Sequence, residues 1–418
     1  MAVSNDFSFL HAADLHIDSP LLGLARKSAE QAKRVADASR TAFDNLISLA
    51  IEEKCRFVLF AGDLFDGDWK DYRTGLVFAA QMRRLQEAGI EVYAILGNHD
   101  AENRFVSRLD LAENVHILGS KSPQSLDVPD LRVTIHGMSY AQRDVSENLA
   151  AAYPAPASGR FNIGLLHTAC EGRAGHMPYA PCTAEQLASH GYNYWALGHV
   201  HTREVLCEDP LIIFPGNLQG RNPRETGPKG ATLVHVVDGR IDRHEHRTLD
   251  VVRWERREVN ISGLDNRFAV LTLIRGALEQ LLQGCDGRSV VARLRLTGES
   301  VLHSELTANR MSLKEEVETV AASVSDDIWV EKLEVSTTKP VHTAGLDPSI
   351  AGRLEAVISE IGDDALIAKE LERTFAEVRI KFPAAARLDS LEASLKESAG
   401  AKARELAKAI LARSSNQP

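Results

Sequence analysis

Side chains that bind divalent cations recur in short clusters along the first half of the chain. Most clusters directly follow an apolar run of the length that is typical of a buried strand. In chain order, the residues of these clusters are Asp14, His16, Asp63, Asp66, Asn98, His99, Asp100, His136, His167, His199, His201 and Asn217. Asp, Asn and His together supply oxygen and nitrogen ligands for hard and borderline divalent ions. The pattern predicts a pair of such ions, an arrangement that can hydrolyse phosphate esters.

The apolar runs before the clusters predict buried strands, and helices are predicted between some of them. The strands are expected at 7–13, 57–61, 92–96, 163–166, 194–197 and 212–214. Residues 39–54 and 74–88 carry apolar side chains at helical spacing, which is the pattern of a sheet covered by helices. Later strands, at 133–137 and 232–237, are closer to their neighbours, so part of the fold should be antiparallel or mixed. Because ligands gather at the carboxyl ends of strands in an open α/β sheet, we expect the clusters to meet in one crevice.

The length of 418 residues predicts two or three domains. Residues 1–255 form the α/β domain of the clusters, and 256–345 are interpreted as a small α+β domain. Within the small domain, strands are predicted at 268–274, 290–296 and 328–335, with a helix at 313–323. Residues 346–418 are predicted to be helical, and 384–413 have the spacing of an amphipathic helix. That helix would either pack on its own protein or dock a partner.

Composition restricts the class of protein. Hydrophobic residues make up 44% of the chain and charged residues 25%, as in soluble globular proteins. No apolar run is long enough to cross a bilayer, and residues 1–6 do not begin an export signal. Five cysteines without a Cys-x-x-Cys pair predict reduced thiols in the cytoplasm. The net charge of −10 argues mildly against tight autonomous binding of DNA, although it does not exclude chemistry on DNA.

The residue types in the clusters suggest individual roles. Asp14 and His16 are two apart at a strand end and can share an ion, and the two oxygens of Asp63 could bridge two ions. His99 lies in a tight Gly-Asn-His-Asp turn and is placed to donate a proton to a leaving oxygen. Either Asp66 or Asp100 could orient its imidazole. His11 and His136, in contrast, are interpreted as structural.

These motifs resemble those of a known family. The stretches that carry the resemblance are HAADLHIDSPL, FAGDLFD, LGNHD, LLHTACEG, ALGHVH and FPGNLQGRNPRETGPKG. They resemble the calcineurin-like metallophosphoesterases and, within them, the SbcD family of DNA repair exonucleases, especially its bacterial YhaO-type branch. The resemblance covers about the first 240 residues. Asp18-Ser19-Pro20 differs from the glycine-containing continuation common in SbcD itself, which favours the YhaO-type branch.

The resemblance implies a fold and a ligand set. The fold would be a β-sandwich of mixed sheets flanked by helices, with a small capping domain and C-terminal helices. One ion would be held by Asp14, His16, Asp63 and His201, and the other by Asp63, Asn98, His167 and His199. His99 would be the proton donor and Asp66 the carboxylate that pairs with it. The ions would be manganese, and the partners would be DNA and an SMC-like coiled-coil ATPase of the SbcC type, with two copies of this chain per assembly.

Basic residues near the motifs are candidates for holding the phosphates beside the scissile one. These are Arg104, Arg203, Arg221 and Arg224. Guanidinium groups make bidentate contacts with phosphate, which suits such a role. For each of them, the alternative of equal weight is a solvent-exposed loop position with no role in substrate binding.

The favoured function is that of a two-metal phosphodiesterase acting on DNA, as an exonuclease in repair. A phosphatase or phosphodiesterase for nucleotides or other small phosphate esters is the first alternative, because the same site would serve both. A non-catalytic scaffold is the second, and it predicts missing ligands, whereas every ligand position is filled in this sequence.

Overall fold

The computed structural model describes residues 6–19, 29–66, 73–101, 110–171, 179–340 and 372–373. In these ranges the helices are α1 (Ala29–Glu52), α2 (Arg73–Glu87), α3 (Ala184–Ser189), α4 (Arg267–Gln283), α5 (His303–Ala308) and α6 (Arg310–Val324). The strands are β1 (Phe7–Ala12), β2 (Phe57–Ala61), β3 (Glu91–Ile95), β4 (Val115–Ile117), β5 (Gln124–Asp127), β6 (Val133–Gly137), β7 (Phe161–His167), β8 (Tyr194–Gly198), β9 (Glu204–Glu208), β10 (Leu211–Phe214), β11 (Gly230–Val237), β12 (Arg240–Thr248), β13 (Val252–Asn260), β14 (Ser289–Thr297) and β15 (Ile328–Val335).

Two mixed six-stranded sheets contain the first twelve strands. The first sheet has the order β12-β11-β1-β2-β3-β4, and the second has the order β5-β6-β7-β8-β10-β9. In the first sheet β1 to β4 are parallel and β11 is antiparallel to both of its neighbours. In the second, β6, β7, β8 and β10 are parallel and the edge strands β5 and β9 are antiparallel to their neighbours. The predicted mixed α/β fold is confirmed.

The inner faces of the two sheets pack on each other through large apolar side chains. The rings of Phe9 and Phe57 stack with centroids 5.0 Å apart, and Tyr194 from the second sheet meets Phe9 edge-on at 5.2 Å. On the outer face of the first sheet, α1 and α2 pack through Phe43 and Phe78, whose stacked rings are 5.7 Å apart. The buried apolar area that these faces remove from water is the main source of stability for such a sandwich.

The third sheet has the order β13-β14-β15 and is parallel, with α4 and α6 as its crossover helices. The strand predicted at 268–274 is wrong, because these residues belong to α4. Asn266 caps this helix by accepting a hydrogen bond from the N–H of Ala269 at 2.8 Å. Its buried residues are Val270, Ile274, Leu278 and Leu281, a helical spacing that a seven-residue window conceals. The predicted elements at 290–296, 313–323 and 328–335 are present.

The chain divides into two compact units. The first contains Met1–Ile261, Asn266–Thr297 and Leu306–Ser336, and thus holds all three sheets. The second contains Ser262–Asp265, Gly298–Glu305 and Thr337–Pro418. The helical prediction for 384–413 lies outside the described residues. Among the described helices, none combines the length and apolar character that crossing a membrane would require.

Candidate metal centre

The predicted ligands follow strand ends that are neighbours in the sheets. The loops after β1 and β2 are joined by hydrogen bonds from the N–H of Asp14 to Gly62 O (3.0 Å) and from the N–H of His16 to Asp63 O (3.1 Å). The ends of β7 and β8 are joined by the N–H of Thr168 and Gly198 O at 3.1 Å. These parallel strands end at the same edge of their sheet, so their polar loops are brought together, as the sequence predicts.

The backbone at these loops adopts a left-handed conformation that directs the side chains inward. Asp14, His16 and Asp63 have φ values of 52°, 42° and 52°, and His199 has a φ of 100°. Such values cost non-glycine residues free energy and cluster at functional sites. Gly97 is needed for a different reason, because a Cβ there would lie 2.3 Å from Asp63 Oδ1. The local backbone is therefore shaped around the Asp63 carboxylate.

A first cluster consists of Asp14, His16 and His201, whose ligand atoms all lie within 4.8 Å of one another. The Nε2 atoms of His16 and His201 are 3.3 Å apart, and His201 Nε2 is 3.9 Å from Asp14 Oδ1. Asp14 is buried, and burial raises the pKa of its carboxyl group. A buried carboxylate of this kind needs a nearby positive charge to remain ionised.

A second cluster consists of Asp63, His167 and His199, again with ligand atoms within 4.8 Å of one another. His167 Nε2 lies 3.0 Å from Asn98 Oδ1 and 3.5 Å from Asp63 Oδ2. The same Asp63 oxygen is 3.9 Å from His16 Nε2, which belongs to the first cluster. Asp63 therefore lies between the two clusters.

The imidazole tautomers suit a cation in each cluster. His201 Nδ1 is 2.9 Å from Glu225 Oε1, and His167 Nδ1 is 2.9 Å from Ala61 O. A carbonyl oxygen only accepts hydrogen bonds, and so does an ionised carboxylate, so each Nδ1 carries a proton. A divalent ion in the cluster would then be bound through the Nε2 lone pair, which is available once Nε2 has released any proton of its own. His201 Nε2 then faces another imidazole nitrogen, and His167 Nε2 faces an amide oxygen. The donor set thus fits divalent ions.

The negative charges around His167 favour a positive charge at its imidazole. Burial lowers the pKa of His167, but the carboxylates of Asp63 and Asp14 outweigh burial and raise it to about 9. A proton and a divalent ion compete for the same lone pair, so this site stabilises cations in general.

His99 lies beside the clusters and pairs with Asp66, at 3.1 Å between Nδ1 and Oδ1. Burial lowers the pKa of His99, but the hydrogen bond with Asp66 and the charge of Asp63 outweigh burial and raise it. Asp66 is itself held by Ser19 Oγ, which donates to Oδ2 at 2.8 Å. The residue types left Asp66 and Asp100 as alternatives for orienting His99, the family resemblance favoured Asp66, and the structure pairs His99 with Asp66.

Asp100 instead binds the backbone of two strand-end loops. Its carboxylate accepts hydrogen bonds from the N–H groups of Leu64, Phe65 and Gly97 at 2.9 to 3.0 Å. Burial and the negative charge of Asp63 raise the pKa of Asp100 to about 7. This side chain ties the loop after β2 to the loop after β3.

Asp100→Ala should therefore lower the free energy of unfolding by about 3 kcal/mol, because three buried N–H groups lose their acceptor. Urea denaturation in the presence of a chelator would measure the loss without any contribution from metal binding. Glu171→Ala, which removes an acceptor from one N–H at an exposed position, is the control. A change for Asp100→Ala no larger than that of the control would contradict the structural role.

The four predicted phosphate-binding arginines have different positions. Arg221 Nη1 lies 3.4 Å from both Asp66 Oδ1 and Ser19 Oγ, at the edge of the clusters. Arg203 instead lies 3.5 Å from His244 of β12, and Arg224 is exposed. Arg104 lies outside the described residues.

The two histidines interpreted as structural make hydrogen bonds to other groups of the fold. His11 bonds with Tyr194 Oη at 2.8 Å and Leu197 O at 3.1 Å. His136 bonds with Ser125 Oγ and Asn162 Oδ1. Neither belongs to a cluster of metal-binding side chains among the described residues.

Two polar residues that sequence reasoning did not single out lie at the centre. Ser19 holds Asp66, as described above, and Glu225 lies 2.9 Å from His201. Burial raises the pKa of Glu225, but the hydrogen bond with His201 and the charges of His201 and Arg221 outweigh it, so the pKa falls to about 2. The available signal for Glu225 was a single acid among the basic residues of a loop that should face the crevice.

Comparisons with known families agree with this architecture. The family described as Calcineurin-like phosphoesterase matches residues 7–203. The family described as Metallophosphoesterase YhaO, middle domain, matches residues 254–338. The second match covers α4, α6 and the third sheet from residue 254 onward.

Relatives cover much of the chain. The metallophosphoesterase YhaO of Bacillus subtilis is 36% identical over 359 residues, which span 84% of this chain and 87% of that protein. The DNA double-strand break repair protein Mre11 of Saccharolobus solfataricus is 30% identical over 63% of this chain and 68% of its own length. Mre11 of Sulfurisphaera tokodaii is 28% identical over 54% of this chain, which spans 58% of that protein. The chain therefore belongs to the calcineurin-like metallophosphoesterase family, whose members are metal-dependent hydrolases of phosphate esters.

Proposed function

We propose that this protein uses two divalent ions to hydrolyse phosphodiester bonds in DNA, as an exonuclease of DNA end processing or repair. The observation that carries the proposal is the position of Asp63 between two clusters of nitrogen and oxygen ligands, with the His99–Asp66 pair beside them. Similarity to the DNA double-strand break repair protein Mre11 supports DNA as the substrate.

In this proposal the ligands are divided between two ions that share Asp63. Asp14, His16 and His201 complete the first site, and Asn98, His167 and His199 complete the second. Manganese is the proposed metal. When bound, such a pair of ions supplies an activated water and neutralises charge on the phosphate oxygens.

In this proposal a side chain of the protein donates the proton that the leaving oxygen needs. His99 Nδ1 is held by Asp66, so its Nε2 is the atom that donates a proton to the departing sugar oxygen. Ser19 and Arg221 in turn hold Asp66, which keeps the imidazole in one orientation. A raised pKa keeps His99 protonated closer to neutral pH, as a general acid requires.

The substrate would be held by the guanidinium groups around the centre. Arg221 lies beside the His99–Asp66 pair and is the proposed contact for a phosphate next to the scissile one. Arg104, Arg203 and Arg224 are proposed as further contacts for DNA phosphates. The region 256–345 is proposed to act as a cap that selects which strand enters.

The proposed setting is a cytoplasmic assembly. A large SMC-like coiled-coil ATPase of the SbcC type would bind the segment 346–418, and two copies of this chain would share the assembly. The net charge of −10 supports a partner, because binding of DNA phosphates needs positive charge that a partner could supply to this acidic chain.

The same charge is the observation that favours a second candidate. A small phosphate ester needs few basic contacts. A phosphatase or nucleotide phosphodiesterase with a net negative charge would therefore be compatible with the same centre.

The test is Mn²⁺-dependent digestion of end-labelled duplex DNA by the full chain, compared with covalently closed circular DNA and with p-nitrophenyl phosphate. We expect the linear substrate to be shortened from its ends, the circle to remain intact, and a chelator to stop the reaction. Asp14→Ala, which removes a proposed ligand, is the inactive control. Rapid hydrolysis of the small ester with both DNA substrates unchanged would favour the second candidate instead.

A further inference from the structure

The imidazole of His201 is hydrogen-bonded to a carboxylate on the side away from the first cluster. His201 Nδ1 donates to Glu225 Oε1 at 2.9 Å, while its Nε2 points toward Asp14 and His16. We propose that Glu225 is a positioning residue that fixes the tautomer and orientation of His201, and so sets the affinity of the first ion site. This inference rests on the proposed two-ion function.

Glu225 can position another group because it is itself held in place. Its side chain is only 10% exposed. Asn217 Nδ2 and the N–H of Arg221 donate to Oε2 at 2.8 Å and 2.7 Å, and Asn222 Nδ2 donates to Oε1 at 2.8 Å. With His201, four donors share the two oxygens, which leaves the carboxylate little freedom to rotate away.

The main chain at His201 is restrained as well. Lys229 Nζ donates to His201 O at 2.7 Å, and the N–H of Asn217 reaches the same oxygen at 3.3 Å. The loop after β10 therefore holds His201 at its carbonyl and, through Glu225, at its ring. Such restraint matters because a ligand whose orientation is already fixed loses less entropy when an ion binds.

The second ion site has a different construction. His167 Nδ1 donates to the main-chain oxygen of Ala61 at 2.9 Å. A neutral carbonyl orients the ring but adds less electron density to it than an ionised carboxylate does. The inference therefore predicts that substitutions at Glu225 affect one of two ions and leave the other in place.

The experiment is calorimetric titration of the metal-free full chain with Mn²⁺. Wild type should bind two ions. Glu225→Gln keeps an oxygen that can accept from His201 but loses the charge, and should weaken one site by roughly tenfold; Glu225→Ala should weaken it by roughly a hundredfold. The other site should keep its wild-type affinity in both variants.

Glu208→Gln is the matched control, because Glu208 also bonds with a histidine, His244, at 3.1 Å, but that histidine lies in neither cluster. Wild-type affinity at both sites in Glu225→Ala would overturn the inference and leave the two-ion function intact. Failure of the wild-type protein to bind two ions would overturn the function and the inference together.

A second measurement does not depend on how well the variants fold. Long-range ¹H–¹⁵N correlation spectra of the wild-type protein should show His201 with its proton on Nδ1, with the signal assigned by its loss in His201→Asn. A proton on Nε2 with none on Nδ1 in the metal-free protein would overturn the proposed role of Glu225, because the Nδ1 lone pair would then face the carboxylate.

Discussion

His99→Gln should reduce the rate of phosphodiester hydrolysis by roughly 10²–10⁴-fold while two ions remain bound. The substitution removes the group that donates a proton to the leaving oxygen but none of the proposed metal ligands. The measurement is kcat on end-labelled DNA at saturating Mn²⁺, with the bound metal counted by elemental analysis.

The metal count decides between two roles for His99. One of its ring nitrogens also lies within 4.8 Å of a ligand atom in His16 and in Asp63, so the geometry alone would allow it to be a ligand. Loss of an ion in His99→Gln would contradict the proton-donor role. Asp66→Asn is the companion variant, and we expect it to lower kcat less, because it disturbs the orientation of His99 and leaves the imidazole in place.

Asp63→Ala should remove both ions and, with them, all measurable hydrolysis. The Asp63 carboxylate lies between the two clusters, and its Oδ2 faces both His16 and His167. Removing it leaves two incomplete sets of ligands. Elemental analysis after dialysis and the DNA assay would measure the two losses separately.

Asp14→Ala is the graded control for this prediction, because Asp14 belongs to the first cluster alone and its loss should release one ion. Asp63 Oδ1 also accepts from the N–H of His99 at 2.9 Å, so thermal unfolding should be compared to confirm that the variant is folded. Retention of two ions by folded Asp63→Ala would contradict the proposal that both ions share Asp63.

The strands that position the site could be predicted from their apolar runs alone. The predicted runs that end before Asp14, Asp63 and His199 coincide with β1, β2 and β8 to within one residue at either end. Buried strands of a parallel sheet are continuously apolar, and the polar loop that follows each one marks its end clearly. The elements of the region that contains the third sheet were harder to predict. Over a short window, the apolar residues of its first helix, α4, also fit the alternating pattern of a strand.

The roles of individual charged residues depended on three-dimensional contacts. The residue types alone left both Asp66 and Asp100 as partners for His99, and the family resemblance favoured Asp66. The folded loops place Asp66 against the imidazole and show that Asp100 instead holds three N–H groups. Arg203 and Arg221 likewise follow comparable motifs, yet one lies against β12 and the other beside Asp66.

The sequence by itself was sufficient to predict the cation-binding character of the chain, the strand ends and the convergence of Asp14, Asp63 and the late histidines. These features follow from side-chain chemistry and short-range periodicity, which are local properties. The tertiary structure alone decided that Glu225, 24 residues after His201, would hold its ring, and that Asp100 would hold three N–H groups of the neighbouring loops. Such pairings are set by the packing of loops from distant strands, where a change of direction at one residue redirects a side chain by several ångströms.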